Sequence, residues 1–226
     1  MTREIVANED PQITRVFIVR HGRTDWNAKK ILQGHIDIDI NEEGAQQAEK
    51  VASHLEPIPI DDIVSSDLCR CINTAKPILK FQKTTSYSET PKLRERDMGK
   101  VQGMALAEAL LTYGESFRNL GEKESALIER VSEVYDSALK RATINSHKNV
   151  LLCTHGGVIT AFTNHLHRDR KYDLAEGLSA SDLRVPYNTS VTVIDVEKAL
   201  GRGMIVNCGV TEHLGGDFRV RNQLLR

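Results

Sequence analysis

The sequence predicts an α/β fold: a three-layer α/β/α sandwich on a mostly parallel central sheet, with an antiparallel edge strand. Three observations carry this expectation. Short runs rich in β-branched residues alternate with segments of helical periodicity, the pattern of a layered parallel sheet. Two of these runs end in His-Gly, at Arg20-His21-Gly22 and Thr154-His155-Gly156, where glycine lets the chain leave a strand sharply. Late in the chain, two further runs are joined by a connection short enough for a hairpin, which only antiparallel strands accept.

Taken in order, Ile13–Arg20 (ITRVFIVR) reads as a buried parallel strand. Asn41 opens the helical segment NEEGAQQAEKVASHLE. Asn41 suits its cap, Glu42 and Glu43 suit the positive end of its dipole, and Ala45, Ala48, Ala52 and Leu55 share one face. Pro57 and Pro59 end it. Residues 61–66 (DDIVSS) form the second strand. Asp67 is placed to cap the next helix, whose apolar stripe is Leu68, Cys71, Ile72, Ala75 and Leu79. Pro77 should kink that helix or mark a weak turn. Residues 104–142 read as mostly helical, with Leu127, Val131, Val134, Ala138 and Ala142 in helical register. They are expected to form a helical cap over the strand ends, inserted in a single domain spanning residues 1–226. Residues 150–154 make the third strand, followed by the helix VITAFTNHLH. Residues 188–196 and 204–210 are the later strands, joined through EKALGRG.

Composition bounds the function classes. A chain of 226 residues can bury a real core, since proteins of this size hide roughly 70% of their extended surface. Lys and Arg total 30 against 31 Asp and Glu, a net charge of −1, which argues against a general nucleic-acid binder and against an acidic tail. No apolar run is long enough to span a bilayer, so no membrane partner is expected. The N-terminal stretch MTREIVANEDPQ lacks the apolar core of a signal peptide, and its acidic residues do not suit a transit peptide. Cys69, Cys71, Cys153 and Cys208 show no metal-ligand or redox-motif spacing, which fits reduced thiols in a cytoplasmic protein. His165 and His167 stand two apart on a helix and face different ways, so no metal pair is expected there.

The two His-Gly corners carry the chemistry. In an open α/β sheet, ligands bind outside the carboxyl ends of the strands. Two histidines at two such ends can share one pocket. The helix after Gly156-Gly157 offers free N–H groups to an anion. Arg20 and Arg23 add fixed charge, and Arg70 enters from the start of the helix after the second strand. The planar fork of arginine suits phosphate oxygens.

At these residues the chain resembles the histidine phosphatase superfamily, also called the phosphoglycerate mutase-like family. The resemblance runs along nearly the whole chain: Arg20-His21-Gly22-Arg23-Thr24-Asp25-Trp26-Asn27, Leu32-Gln33-Gly34 with Asp37, Ser65-Ser66-Asp67-Leu68 with Arg70 and Thr74, Leu93-Arg94-Glu95, Thr154-His155-Gly156-Gly157, and Asn188-Thr189-Ser190. Within the family it looks most like fungal broad-specificity phosphatases. The resemblance implies a phosphomonoesterase acting on a small phosphorylated substrate. His21 would be the nucleophile, carrying a phosphohistidine. Arg20, Arg70 and His155 would clamp the phosphoryl oxygens, and Glu95 would serve as acid and then base. Asn27 and the Gly156 N–H would be further donors, with Gln33 and Arg23 counted among the substrate-binding residues. It implies no metal and no cofactor, because protein cations stabilise the charge. The oligomeric state stays open, a homodimer included.

Three rivals share the fold, fructose-2,6-bisphosphatase among them. Phosphoglycerate mutases typically carry a longer insertion between the acid and the second histidine, with paired arginines in it. Here 59 residues separate Glu95 from His155, with no Arg-Arg pair among them, and Gln33-Gly34 is the phosphatase-like form. A non-catalytic interaction module would have lost catalytic residues, and this chain keeps His21, Arg20, Arg70, Glu95 and His155.

Overall fold

Side chains alternate faces along a strand, and this alternation sets the layers. In the computed structural model, which describes residues 4–83 and 85–220, strand β1 (Ile13–Arg20) turns Phe17 and Val19 to one face of the sheet and Val16 and Ile18 to the other. The first three residues of the N-terminal stretch lie outside the described residues. Phe17 and Val19 pack with helices α2 (Glu42–Leu55) and α3 (Cys69–Phe81) through Val51, Leu55, Cys71 and Ile78. Val16 and Ile18 pack with α5 (Glu124–Ile144) and α6 (Gly156–Arg168) through Leu127, Val131, Val158 and Phe162. The expected three layers follow.

Among the described residues the sheet has seven strands, in the order β3-β2-β4-β1-β6-β7-β5. These are β2 (Asp62–Ser66), β3 (Ser86–Thr90), β4 (Asn149–Thr154), β5 (Asp173–Leu174), β6 (Val191–Glu197) and β7 (Gly203–Val210) beside β1. β6 runs antiparallel to both β1 and β7, and the other pairings among the described strands are parallel. The antiparallel hairpin β6–β7 thus forms one side of a mostly parallel sheet. The carboxyl ends of β1, β4, β2 and β3 lie together on the other side.

Three details depart from the sequence reading. Asp67 does not cap α3. Its carboxylate pairs with the Arg94 fork at 2.7 and 2.6 Å, a two-point charged contact that outcompetes a single cap bond, and Asp37 supplies the acceptor for the Cys69 N–H at 2.8 Å instead. Helix α3 runs through Pro77 without a break. The helical stretch after residue 104 divides in two. α4 (Leu106–Tyr113) and the 3₁₀ turns at Gly114–Asn119 join Leu32, Met98 and Val101 in a separate apolar cluster, whereas α5 buries its stripe in the main core and belongs to the layer, not to a cap.

Candidate active site

His21 follows β1 and His155 follows β4. Those strands are parallel neighbours, and the His21 N–H donates to the Thr154 carbonyl at 2.9 Å. The two imidazoles therefore meet, with ring centroids 5.1 Å apart. Both are buried. Nδ1 of His21 lies 2.7 Å from the carbonyl of Gly22. A carbonyl can only accept, so Nδ1 carries a proton, and in the neutral ring Nε2 holds the lone pair. Gly22 is held in turn by Thr74, whose hydroxyl accepts its N–H at 2.8 Å and donates to the Arg70 carbonyl at 2.6 Å.

Arg70 lies in the first turn of α3 and is fully buried. Its guanidinium donates to the carbonyls of Ile36 and Gly34, both at 2.8 Å, and from Nε to Nδ1 of His155 at 3.1 Å. Burial pushes Arg70 below the ordinary arginine value. Nε2 of His155 lies 3.0 Å from the Ser66 hydroxyl. Burial first, then the charges of Arg70, His21 and Arg20, hold His155 well below the usual histidine range, so it is neutral. It acts here as a hydrogen-bonding ring and not as a fixed cation. Arg20 is also buried, and its Nη1 donates to the Pro186 carbonyl at 2.7 Å.

Glu95 comes from the loop after β3 and is buried. Its Oε2 accepts the N–H of Gly157 at 3.0 Å, in the first turn of α6, and its Oε1 accepts the N–H of Arg96 at 3.0 Å. A Cβ at Gly157 would overlap Oε1 of Glu95, so any other residue there displaces the carboxylate. Arg130 on α5 fixes the loop itself. It donates to the carbonyls of Lys92 and Arg94 at 2.7 Å and of Glu95 at 3.1 Å while pairing with Glu122.

Of these groups, His21, Arg70 and Glu95 border a cavity of about 60 Å³, while Arg20 and His155 are buried behind it. His21, Asn27, Gln33, Arg70 and Glu95 line it, with Trp26, Lys30, Ile31, Leu32, Gly34 and Met98 around them. Oε1 of Gln33 is buried without a hydrogen-bond partner. Asn27 lines the cavity while its Oδ1 accepts from the Thr24 N–H. Gly156 starts α6 and is buried beside His155. Arg23 does not join the group. Its Nη1 lies 2.9 Å from both oxygens of Glu43 on the outer side of α2, and that partner raises its pKa. Its expected place at the phosphate is corrected: a charged partner 20 positions on draws it away. Local sequence pattern assigns no individual role to Gly157, Ser66 or Arg130. Gly157 carries a signal in the doubled glycine after His155, but Arg130 carries none, since the carbonyls it holds lie about 35 to 38 residues off.

Comparison with known proteins places the arrangement. The family model described as Histidine phosphatase superfamily (branch 1) matches residues 16–207. The chain is similar to a broad-specificity phosphatase of Saccharomyces cerevisiae, 40% identical over 100% of both chains. It is also similar to a probable phosphatase of Schizosaccharomyces pombe, 33% identical over 88% of this chain and 95% of that one. Among solved structures, a phosphoglycerate mutase from Bacillus anthracis shares the fold, with a TM-score of 0.74 at 23% identity over 90% of this chain and 96% of that one. The paired histidine corners, the buried arginines and the matched span agree, and the chain belongs to the histidine phosphatase superfamily.

Proposed function

We propose that the protein is a phosphomonoesterase of broad specificity that transfers the phosphoryl group of a small metabolite to His21 and then to water. The observation that carries this reading is the His21 tautomer: with Nδ1–H tied to Gly22, Nε2 is the nucleophile, and Glu95 borders the same small cavity. Nε2 attacks phosphorus, the phosphorus–oxygen ester bond breaks, and Glu95 gives its proton to the leaving alkoxide. The Glu95 carboxylate then takes a proton from water, which attacks the phosphohistidine and frees His21 and inorganic phosphate.

Arg20 and Arg70 stabilise charge on the equatorial oxygens, which is most of what a protein contributes to phosphoryl transfer. Asn27, Gln33 and the Gly156 N–H complete the donor set, and His155 holds the Arg70 guanidinium in place beside them. The positive charge is supplied by the protein, so the scheme uses no metal. A cavity of about 60 Å³ suits the phosphoryl group, and the rest of the substrate extends past Trp26, Lys30 and Met98. Breadth of specificity is supported by the broad-specificity phosphatase to which the chain is similar. The turns around α4, which share the apolar cluster of Leu32 and Met98, shape access to the mouth. A cytoplasmic setting completes the reading, on the cysteine spacing and composition described above.

A phosphate-release panel of sugar, glyceryl, nucleoside and aryl phosphates, run with EDTA, tests this. Turnover in wild type and a loss of about 10⁴-fold or more in His21→Ala are expected. Full activity in His21→Ala contradicts the mechanism. Phosphoglycerate interconversion faster than phosphate release would identify a mutase, and an inactive wild type an interaction module.

A further inference from the structure

The loop before β6 holds a hydrogen-bond junction that none of these roles uses. Asn188 is buried, with 6% of its surface exposed. Its Nδ2 donates to the main-chain carbonyl of His21 at 3.0 Å and to Oδ1 of Asn27 at 3.2 Å. The next residue, Thr189, donates its N–H to the carbonyl of Arg20 at 3.0 Å and to that of His21 at 3.4 Å. It does so at φ 56°, in the left-handed region that a β-branched residue rarely adopts. Such a conformation persists only where the surroundings over-determine it. Here the Thr189 hydroxyl donates to the Asn188 carbonyl at 2.8 Å and lies 3.1 Å from Nε2 of His213.

The consequence falls on Asn27. Its Oδ1 accepts from the Thr24 N–H at 3.1 Å and from Asn188. Two donors on one oxygen settle which way the amide faces. Nδ2, a donor, is then the end that serves the cavity Asn27 lines. Turned the other way, the same amide would present an oxygen to a phosphate and repel it.

We propose that Asn188 is a positioning residue for phosphoryl transfer, acting through Asn27 and the peptide of His21. It orients the Asn27 amide as a phosphate donor and pins the carbonyl that follows the nucleophile's side chain, so one buried amide registers donor and nucleophile together. This rests on the phosphatase reading above. Asn188 itself touches no substrate.

A double-mutant cycle on Asn27→Ala and Asn188→Ala tests it, with Asn188→Asp as the isosteric second variant that keeps the size but removes the donor. Thermal melts show which variants are folded. Each single variant should lower kcat/KM by about tenfold or more, and the double should fall short of the product of the singles by about fivefold or more. Asn188→Asp should be at least as impaired as Asn188→Ala, because its carboxylate faces two carbonyl oxygens. A residue that only supported the fold would give multiplicative losses. The same cycle is run on the affinity for inorganic phosphate by calorimetry, which needs no turnover. Multiplicative effects in both cycles, with folded variants, overturn the proposal. An inactive wild type would overturn the phosphatase reading, and the phosphate cycle alone would then decide the role of Asn188.

Discussion

Gly157 stands against the carboxylate of Glu95, donating its N–H to Oε2 at 3.0 Å where any side chain would overlap Oε1. Function and stability pull apart at this one residue. Gly157 lies in the first turn of α6, where alanine keeps part of the roughly 1 kcal/mol advantage it has over glycine in a helix interior. Gly157→Ala should therefore leave the melting temperature level or slightly higher while kcat falls by about tenfold to a hundredfold, because displacing a catalytic group by about 1 Å costs that much. Parallel losses of stability and activity would show that Gly157 serves packing instead. The residue scale is also where the sequence misleads. Arg23 has the charge and the motif position for a phosphate ligand, yet Glu43 claims it. Asp67 has the type and place of a cap, yet Arg94 claims it from 27 positions away. In both cases a charged partner distant in the chain outweighs a local preference, and local pattern carries no trace of it.

At the scale of elements, the strands that carry His21 and His155 were legible because their cores repeat β-branched and apolar residues and end in glycine corners. β3, with the sequence SYSET, was not. It is a half-exposed edge strand without apolar alternation, and pairing with β2 alone makes it a strand. β5 is two residues long and had no signal. Helix α5 shows what an element contributes beyond packing. Its Arg130 gathers three carbonyls of the Glu95 loop while Glu122 neutralises it. Burial pushes the Glu122 carboxyl up, but its bonds with Arg130 outweigh this and hold it below the usual range. Arg130→Ala should lower kcat by about tenfold and stability by about 1–3 kcal/mol through the unpaired carbonyls. Arg130→Lys should not restore activity, since an ammonium cannot span three acceptors and a carboxylate. Full rescue by lysine, read from the kcat of the folded variant, would mean that charge alone matters.

Across the whole molecule, the net charge of −1 hides a buried cationic centre made by Arg20 and Arg70. Overall balance excludes only a broad anion-binding face; it says nothing of a pocket. The same burial shapes stability against pH. His155 is held well below the usual histidine range, and burial first, then His54 and Lys50, push His213 from 6.5 down to about 4. Both bind protons more readily in the unfolded chain than in the folded one. Stability is therefore fully present above about pH 6.5 and is lost as pH falls from there toward 4. His213 shares its groove with Glu49, Lys50 and His54, and its share of the loss is on the order of 2 kcal/mol. Urea midpoints at pH 7.5 and pH 5 should separate further in wild type than in His213→Gln. Equal separation would remove His213 from the account.

The proposed chemistry turns on a covalent bond between phosphorus and Nε2 of His21. Rapid-quench mass spectrometry under alkaline conditions, with an aryl phosphate whose leaving group needs no proton, tests it most directly. In Glu95→Gln, phosphohistidine forms but water is poorly activated, so one phosphoryl group per chain should accumulate and map to His21. Steady turnover with no phosphoryl group on the protein, or with the group on another residue, would contradict the account.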